Sequence, residues 1–364
     1  MIHWWNIDIG PEAADAAAQA VRNRTVHLGP LVEQFEARMA RELGAPYIVG
    51  TSSGTTALML ALHDAGVGPG TEVIVPNRTQ IAPANAAHML GATVVLVDVL
   101  ADRPLIDPAA FERAITPRTK AVCAVHLLGL AADMPAIRGI ADKHGIAVIE
   151  DGAQAMFVRS PEGGHLGLHS HAGCFSLSIS KLVTSGQGGF LAAHSPEQAE
   201  RFIMARTQGT KDVTKPRWVC PGSNFRYSDL QAAVAMTQFD LIPKRIESLR
   251  RIHAMYVEGL RHHEHLRFIN PVLDEGQFSI YTQVLVPQRQ DLVEHLLRHR
   301  IETRNEAPDL CTAPQFMKHN PGPFPNSALF QDQAMFLPSG PDQSVRDIEY
   351  VIEVINKWSP GKKQ

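Results

Sequence analysis

IAVIED, residues 146–151, and FSLSISKLVTSGQGG, residues 175–189, are apolar runs that end in very different chemistry. The first closes on two acids. The second places one lysine, Lys181, among hydroxyl residues and in front of a glycine-rich turn. Similar apolar runs occur upstream: TEVIVP (71–76), TVVLVDV (93–99) and AVCAVHL (121–127) read as buried strands. Helix-like segments separate them, such as APANAAHML (82–90) and AADMPAIRGIADKHG (131–145). Strands alternating with helices predict βαβ units, an α/β fold and a largely parallel sheet. CFSLS and GGFLAA add two strands close together in the chain.

From Ser228 the spacing of apolar residues predicts a long helical region through DLQAAVAMTQFDLIPKRIESLRRIHAMYVEGL. Beyond about residue 245 the pattern changes. FSIYTQVLV (278–286) reads as a strand and QDLVEHLLRHR (290–300) as a helix, which predicts a smaller α+β domain. The expected division is residues 1–240, with the N-terminal segment, and 241–364. Residues 305–345 are rich in proline and asparagine and read as loops over a surface or cleft.

Composition narrows the function. The chain has 364 residues, 45% hydrophobic and 20% charged, enough for a large core. Net charge is −3, and the terminal GKKQ is the first basic run of note, so nucleic acid is not the expected partner. No stretch approaches the roughly 18 apolar residues of a membrane span. MIHWWNIDIG has neither a charged leader nor a long apolar stretch, so no signal peptide is expected. The cysteines (Cys123, Cys174, Cys220, Cys311) form no CxxC pair, and free thiols in a cytoplasmic protein are the expectation.

Open parallel sheets bind ligands at the carboxyl ends of their strands. Three polar groups occupy such places. GTSSGTTALMLAL (50–62) is a glycine- and hydroxyl-rich turn opening an apolar helix: either a simple cap or an anion site. No GK[ST] follows, so it is not a Walker A loop. VIEDGAQ (148–154) ends a buried strand on Glu150 and Asp151, which alternation sends to opposite faces; Asp151 is a cap, a salt-bridge partner or a site residue. Lys181 is a solvated loop lysine or a desolvated amine able to form a Schiff base. Taken together, the three supply what pyridoxal phosphate (PLP) requires. A cradle anchors its phosphate, an acid keeps its pyridine nitrogen protonated and a lysine holds its aldehyde.

From about residue 20 to 357 the chain resembles the DegT/DnrJ/EryC1/StrS aminotransferases, sugar aminotransferases of PLP fold type I. The similarity rests on HLGPLVEQFEARMARELG, GTSSGTTALMLAL, GVGPGTEVIVP, ANAAHMLGATVVLVDV, VHLLGLAADMPAIRGIADKHGIAVIEDGAQA, FSLSISKLVTSGQGGFLA and NFRYSDLQAAVAMTQ, in that order. It implies a large domain with a mostly parallel seven-stranded sheet and a smaller C-terminal domain. By the same resemblance Lys181 would be the Schiff-base lysine and Asp151 the partner of the pyridine nitrogen. Gly54, Thr55, Thr56 and Ser176 would surround the phosphate, and Gln154 would sit beside the ring. Asn224 would reach the phosphate of a neighbouring subunit, which implies a homodimer with shared active sites. A branch of the family that dehydrates carries histidine in place of the lysine; Lys181 argues against it.

Two stretches depart from the family pattern. VPNRTQ has Gln80 where an aromatic residue usually stacks on the cofactor ring. TRNEAPDLCT has Ala307 and Thr312 where the pattern TRxxYPxPLH has tyrosine and histidine. The implied activity is transfer of an amino group from an amino acid, L-glutamate, to a nucleotide-linked 4-keto-6-deoxyhexose in amino sugar biosynthesis. The alternatives are a ketocyclitol or aminoshikimate-type carbocycle as acceptor, or a regulatory homologue without catalysis. His165, His169 and His171 in GGHLGLHSHAG lack an obvious acid partner, and no metal is expected. HHEHLRF (262–268) reads as a solvated helix end or loop. Trp4 and Trp5 read as packing anchors, or as a cover over a neighbour's site. Arg226 reads as an interface ion pair in preference to a substrate contact.

Overall fold

The computed structural model describes residues 1–270, 272–320 and 322–361; Lys362 and Lys363 of GKKQ lie outside the described residues. Seven strands form the main sheet: β1 (Tyr47–Thr51), β2 (Glu72–Pro76), β3 (Thr93–Val97), β4 (Thr119–Val125), β5 (Ala147–Asp151), β6 (Ala172–Ser176) and β7 (Gly189–Ala193). Their order across the sheet is β1-β7-β6-β5-β4-β2-β3. β7 runs antiparallel to both neighbours, β1 and β6, and the remaining pairs are parallel. The α/β architecture expected from the alternating runs is therefore present.

Burial on both faces explains why these strands read as continuous apolar runs. On β2, Val73 and Val75 pack in one core with Leu58 and Leu62 of helix Gly54–Asp64. Ile74 between them faces another core with Ile137 of helix Met134–His144. Asp133 caps that second helix by accepting from the Ala136 N–H, and left-handed Gly145 ends it.

Four short antiparallel strands form a second sheet: β8 (Arg267–Phe268), β9 (Gln283–Leu285), β10 (Arg304–Asn305) and β11 (Ala334–Phe336), in the order β10-β11-β9-β8. Helix Ile242–Gly259 joins the two units. Its Leu249 packs in a core with Phe175 and Phe190, while Ile252 and Tyr256 pack with Val284 and Met335 of the small sheet. The first residues lie along the small unit, with Ile2 bridging Ile301 and Ser339 N–H donating to the Trp4 carbonyl.

Several elements differ from expectation. The long helix after Ser228 is two helices, Asp229–Met236 and Ile242–Gly259, separated by a short 3₁₀ turn. Gln238 lies at the break, buried, and its side chain accepts from the Thr184 N–H at 3.2 Å and donates to the Thr184 carbonyl. Pro243 then begins the next helix, where its missing N–H costs nothing. Of FSIYTQVLV only Gln283–Leu285 pairs as a strand. Residues 305–345 hold helices Pro314–Met317 and Pro325–Gln333 as well as loops. β1 was not evident in the sequence, because its five residues carry no alternation.

Candidate active site

A cavity of about 320 Å³ opens at the carboxyl ends of β1, β2, β5 and β6. Gly54, Thr55, Gln80, Asp151, Gln154, Ser176 and Lys181 all line it, although they are spread over more than a hundred residues. The three polar groups of the sequence thus meet in one place.

The cradle begins where β1 turns into helix Gly54–Asp64. Ser53 caps the helix: its Oγ accepts from the Thr56 N–H at 3.1 Å, and the Thr56 hydroxyl accepts from the Ser53 N–H at 3.0 Å. That box occupies Thr56, which is not part of the cavity wall. Gly54 and Thr55 contribute the first-turn N–H groups, which have no acceptor within a helix, at its positive end. Gly54 is needed for a close approach: a methyl there would meet Ser176 Cβ at 3.0 Å and the Phe175 carbonyl at 3.3 Å. This contact brings Ser176 beside the helix start.

Asp151 ends β5 facing the cavity, and its Oδ1 accepts from the Ala153 N–H at 3.0 Å. Burial pushes its carboxyl above the usual range, against the pull of that hydrogen bond and of the positive charge of Lys181. Glu150, one residue earlier, faces away and pairs with His126 at 2.8 Å, as strand alternation requires. Lys181 is 9% exposed, its ammonium 5.9 Å from the centre of the Tyr281 ring. Among the described residues no carboxylate lies within 4.0 Å of that ammonium. The Tyr281 hydroxyl donates to the Ser180 carbonyl at 2.7 Å, fixing the loop that carries the lysine.

Gln154 accepts from the Leu128 N–H at 2.8 Å and so holds a residue whose φ is 63°. Asn224 is exposed, outside this chain's cavity, with its Oδ1 accepting from Arg226 Nε at 2.8 Å. His165 is bound to the Leu43 carbonyl and His171 to Asp64, so the histidines serve separate contacts. Asp64 is the acid that the sequence around His171 did not reveal.

The cavity includes Trp4, which the sequence offered as an anchor or a cover, and residues that local sequence does not single out: Thr79, Tyr281, Arg304 and Phe336. Trp4 packs on Tyr281 and Phe336 and covers this chain's own cavity. The two stretches that depart from the family pattern pack against each other. Gln80 Nε2 lies 3.4 Å from Glu306, and buried Arg78 donates to the Ala307 carbonyl at 2.6 Å and to Asp309 at 2.8 Å.

Residues 7–356 match the DegT/DnrJ/EryC1/StrS aminotransferase family. The chain belongs to that family. It is 34% identical over 356 residues to dTDP-3-amino-3,4,6-trideoxy-alpha-D-glucose transaminase of Streptomyces venezuelae, covering 97% of this chain and 93% of that one. It is 38% identical over 272 residues to L-glutamine:2-deoxy-scyllo-inosose aminotransferase of Streptoalloteichus tenebrarius, covering 70% and 64%. The crystal structure of S. venezuelae DesV superposes with a TM-score of 0.90 at 34% identity, covering 97% of this chain and 95% of that one. The protein is a PLP-dependent aminotransferase with the type I fold.

The residues present fit PLP. Free helix N–H groups and Ser176 suit a phosphate. Asp151 is buried without a full cationic partner, which a protonated pyridine nitrogen would supply. The buried Thr79 hydroxyl, which has no protein partner among the described residues, adds a further polar group to the wall.

Proposed function

We propose that this aminotransferase moves an amino group from an amino acid, L-glutamate, to the ketone of a nucleotide-linked 4-keto-6-deoxyhexose. The observation that carries the assignment is the shared cavity of Lys181 and Asp151 beside the helix start at Gly54. The relative named for a dTDP-linked 3-amino sugar, matched over nearly its whole length, supports a nucleotide-linked acceptor; its amine is at C3, and the choice of C4 here rests on the family resemblance.

Bound PLP supplies an electron sink through which the amino group passes from donor to ketone. In this role Gly54, Thr55 and Ser176 hold the phosphate, and Asp151 keeps the ring nitrogen protonated. Lys181 would hold the aldehyde carbon, and its Nζ would be the base that moves a proton at the substrate carbon. Tyr281 and Trp4 keep water from that side of the cavity. Asn224, exposed on this chain, serves the phosphate site of a second copy, giving a cytoplasmic homodimer with two shared sites. Residues 1–240 and 241–364 form the cofactor and small domains, with helix Ile242–Gly259 as the bridge.

A ketocyclitol acceptor is the second reading. It is favoured by the similarity to a scyllo-inosose aminotransferase and by polar Gln80 on the cavity wall. Holoenzyme loaded with L-glutamate and offered nucleotide-linked keto sugars and 2-deoxy-scyllo-inosose separates the two. Amination of a nucleotide sugar supports the first; amination of the cyclitol alone replaces it.

A further inference from the structure

We propose that Arg304 is the residue that receives a substrate oxyanion in this cavity. The inference rests on the aminotransferase reading, because it concerns the anions that such substrates bring.

Arg304 lies on β10, paired with Phe336 of β11, and both side chains line the cavity. Its guanidinium sits 4.7 Å from the centre of the Trp4 ring. That indole is a fixed platform. Ile2 bridges Ile301, the Ser339 N–H donates to the Trp4 carbonyl at 3.1 Å, and the ring rests 5.7 Å from Tyr281. Stacking occupies one face of a guanidinium and leaves its in-plane N–H groups free. Among the described residues those groups meet no carboxylate within 4.0 Å. The neighbouring acids are engaged elsewhere: Glu302 pairs with His3 at 2.9 Å, and Glu306 accepts from Gln283 at 2.7 Å.

The inventory of cations gives this free group a use. Among the described residues lining the cavity, Lys181 and Arg304 are the cationic ones. Lys181 is committed to the chemistry, and the cofactor phosphate has the helix start and Ser176. Within this chain, an anion arriving with substrate therefore has Arg304 as its cationic partner. Every amino-acid donor carries an α-carboxylate, and a nucleotide-linked acceptor carries a diphosphate. Both are oxyanions that a guanidinium fork binds in bidentate fashion.

The test uses PLP-loaded wild type, Arg304→Met, Arg304→Lys and Trp4→Leu. In one arm the loss of cofactor absorbance is followed with L-glutamate, L-glutamine, L-alanine and, as an amine without a carboxylate, benzylamine. In the other, dTDP binding is measured by calorimetry. If the anion is the donor carboxylate, Arg304→Met raises half-saturating amino acid about 10- to 100-fold. The limiting rate and the benzylamine reaction change little, and Arg304→Lys and Trp4→Leu show smaller rises. If the anion is the diphosphate, dTDP affinity falls by a similar factor and the amino acids are unaffected. Wild-type values in both arms for Arg304→Met overturn the assignment. A wild type that reacts with no amino acid overturns the aminotransferase reading itself, and this assignment with it.

Discussion

Glu150 and Asp151 are adjacent on β5 yet live in opposite electrostatic settings. Glu150 accepts from His126 Nε2 at 2.8 Å, from the Gly167 N–H at 2.9 Å and from the His169 N–H at 2.6 Å. His126 Nδ1 accepts from the Ala132 N–H at 3.2 Å, so the ring proton is on Nε2 and points at Glu150. Burial raises the Glu150 carboxyl, but these bonds outweigh it and bring it down to about 2. A lowered folded pKa gives stability that is present above the ordinary value of 4.5 and is lost as pH falls toward 2. Glu150→Gln should therefore cost on the order of 3 kcal/mol at pH 7, with the gap to wild type narrowing below pH 4. Urea unfolding at pH 7 and pH 3 measures both; a gap independent of pH would count against the pairing.

Asp151 has the reverse character. Burial raises its carboxyl and no full ion pair relieves it, so in the cofactor-free protein its charge is a cost once pH exceeds the ordinary carboxylate range. Asp151→Asn should leave the cofactor-free protein as stable as wild type, or more so. The same change should lower transamination by about 10²- to 10⁴-fold, because the ring nitrogen loses its partner. Thermal melts and the half-reaction rate together check this. A variant that is both unstable and inactive would mean Asp151 is structural.

Lys181→Ala should abolish the visible band of the holoenzyme and slow turnover by about 10³-fold or more. Borohydride reduction of the wild type followed by peptide mass analysis should find the cofactor on the peptide containing Lys181. Attachment to any other lysine would remove Lys181 from its role.

Gly189 controls the shape of the cradle. A methyl on it would meet the Gly54 nitrogen at 2.5 Å and the Phe175 carbonyl at 2.6 Å, both backbone atoms that cannot turn aside. Gly189→Ala should cost at least ~2 kcal/mol and weaken PLP binding by displacing the helix start. Gly186 has a φ of 77° but open space around it, so Gly186→Ala should cost only about 1 kcal/mol. The comparison of the two by urea unfolding separates crowding from backbone strain.

The strands from β2 to β6, and the opposite facing of Glu150 and Asp151, were legible because a two-sided sheet imposes continuous apolar runs and strict alternation. Lys181 and the Gly54–Thr55 turn were legible through the chemistry their residue types share. Thr55 and Thr56 look alike in sequence; the reciprocal cap with Ser53 separates them, and it appears only once the helix start is known. The far wall of the site was not legible. Tyr281 and Arg304 reach the cavity of Lys181 from a hundred or more residues further along the chain, through the docking of the small sheet. The break at Gln238 is likewise tertiary, made by its bonds to Thr184.

Glu306 gives Gln80, which stands where the family pattern has an aromatic residue, a polar partner. Glu306 is 8% exposed, with two amide donors, Gln283 at 2.7 Å and Gln80 at 3.4 Å, and no cation within 4.0 Å among the described residues. An ionised carboxylate only accepts, so both amides must turn their NH₂ groups to it. Gln80→Phe restores the family's aromatic but leaves a buried carboxylate one donor short, at a cost of ~1–3 kcal/mol. Glu306→Gln in the same chain removes the charge that needed the donor. The double variant should then be more stable than the sum of the single effects predicts, by about 1 kcal/mol. Urea unfolding of the four proteins measures the coupling. Strict additivity would show that Gln80 can be replaced without regard to Glu306.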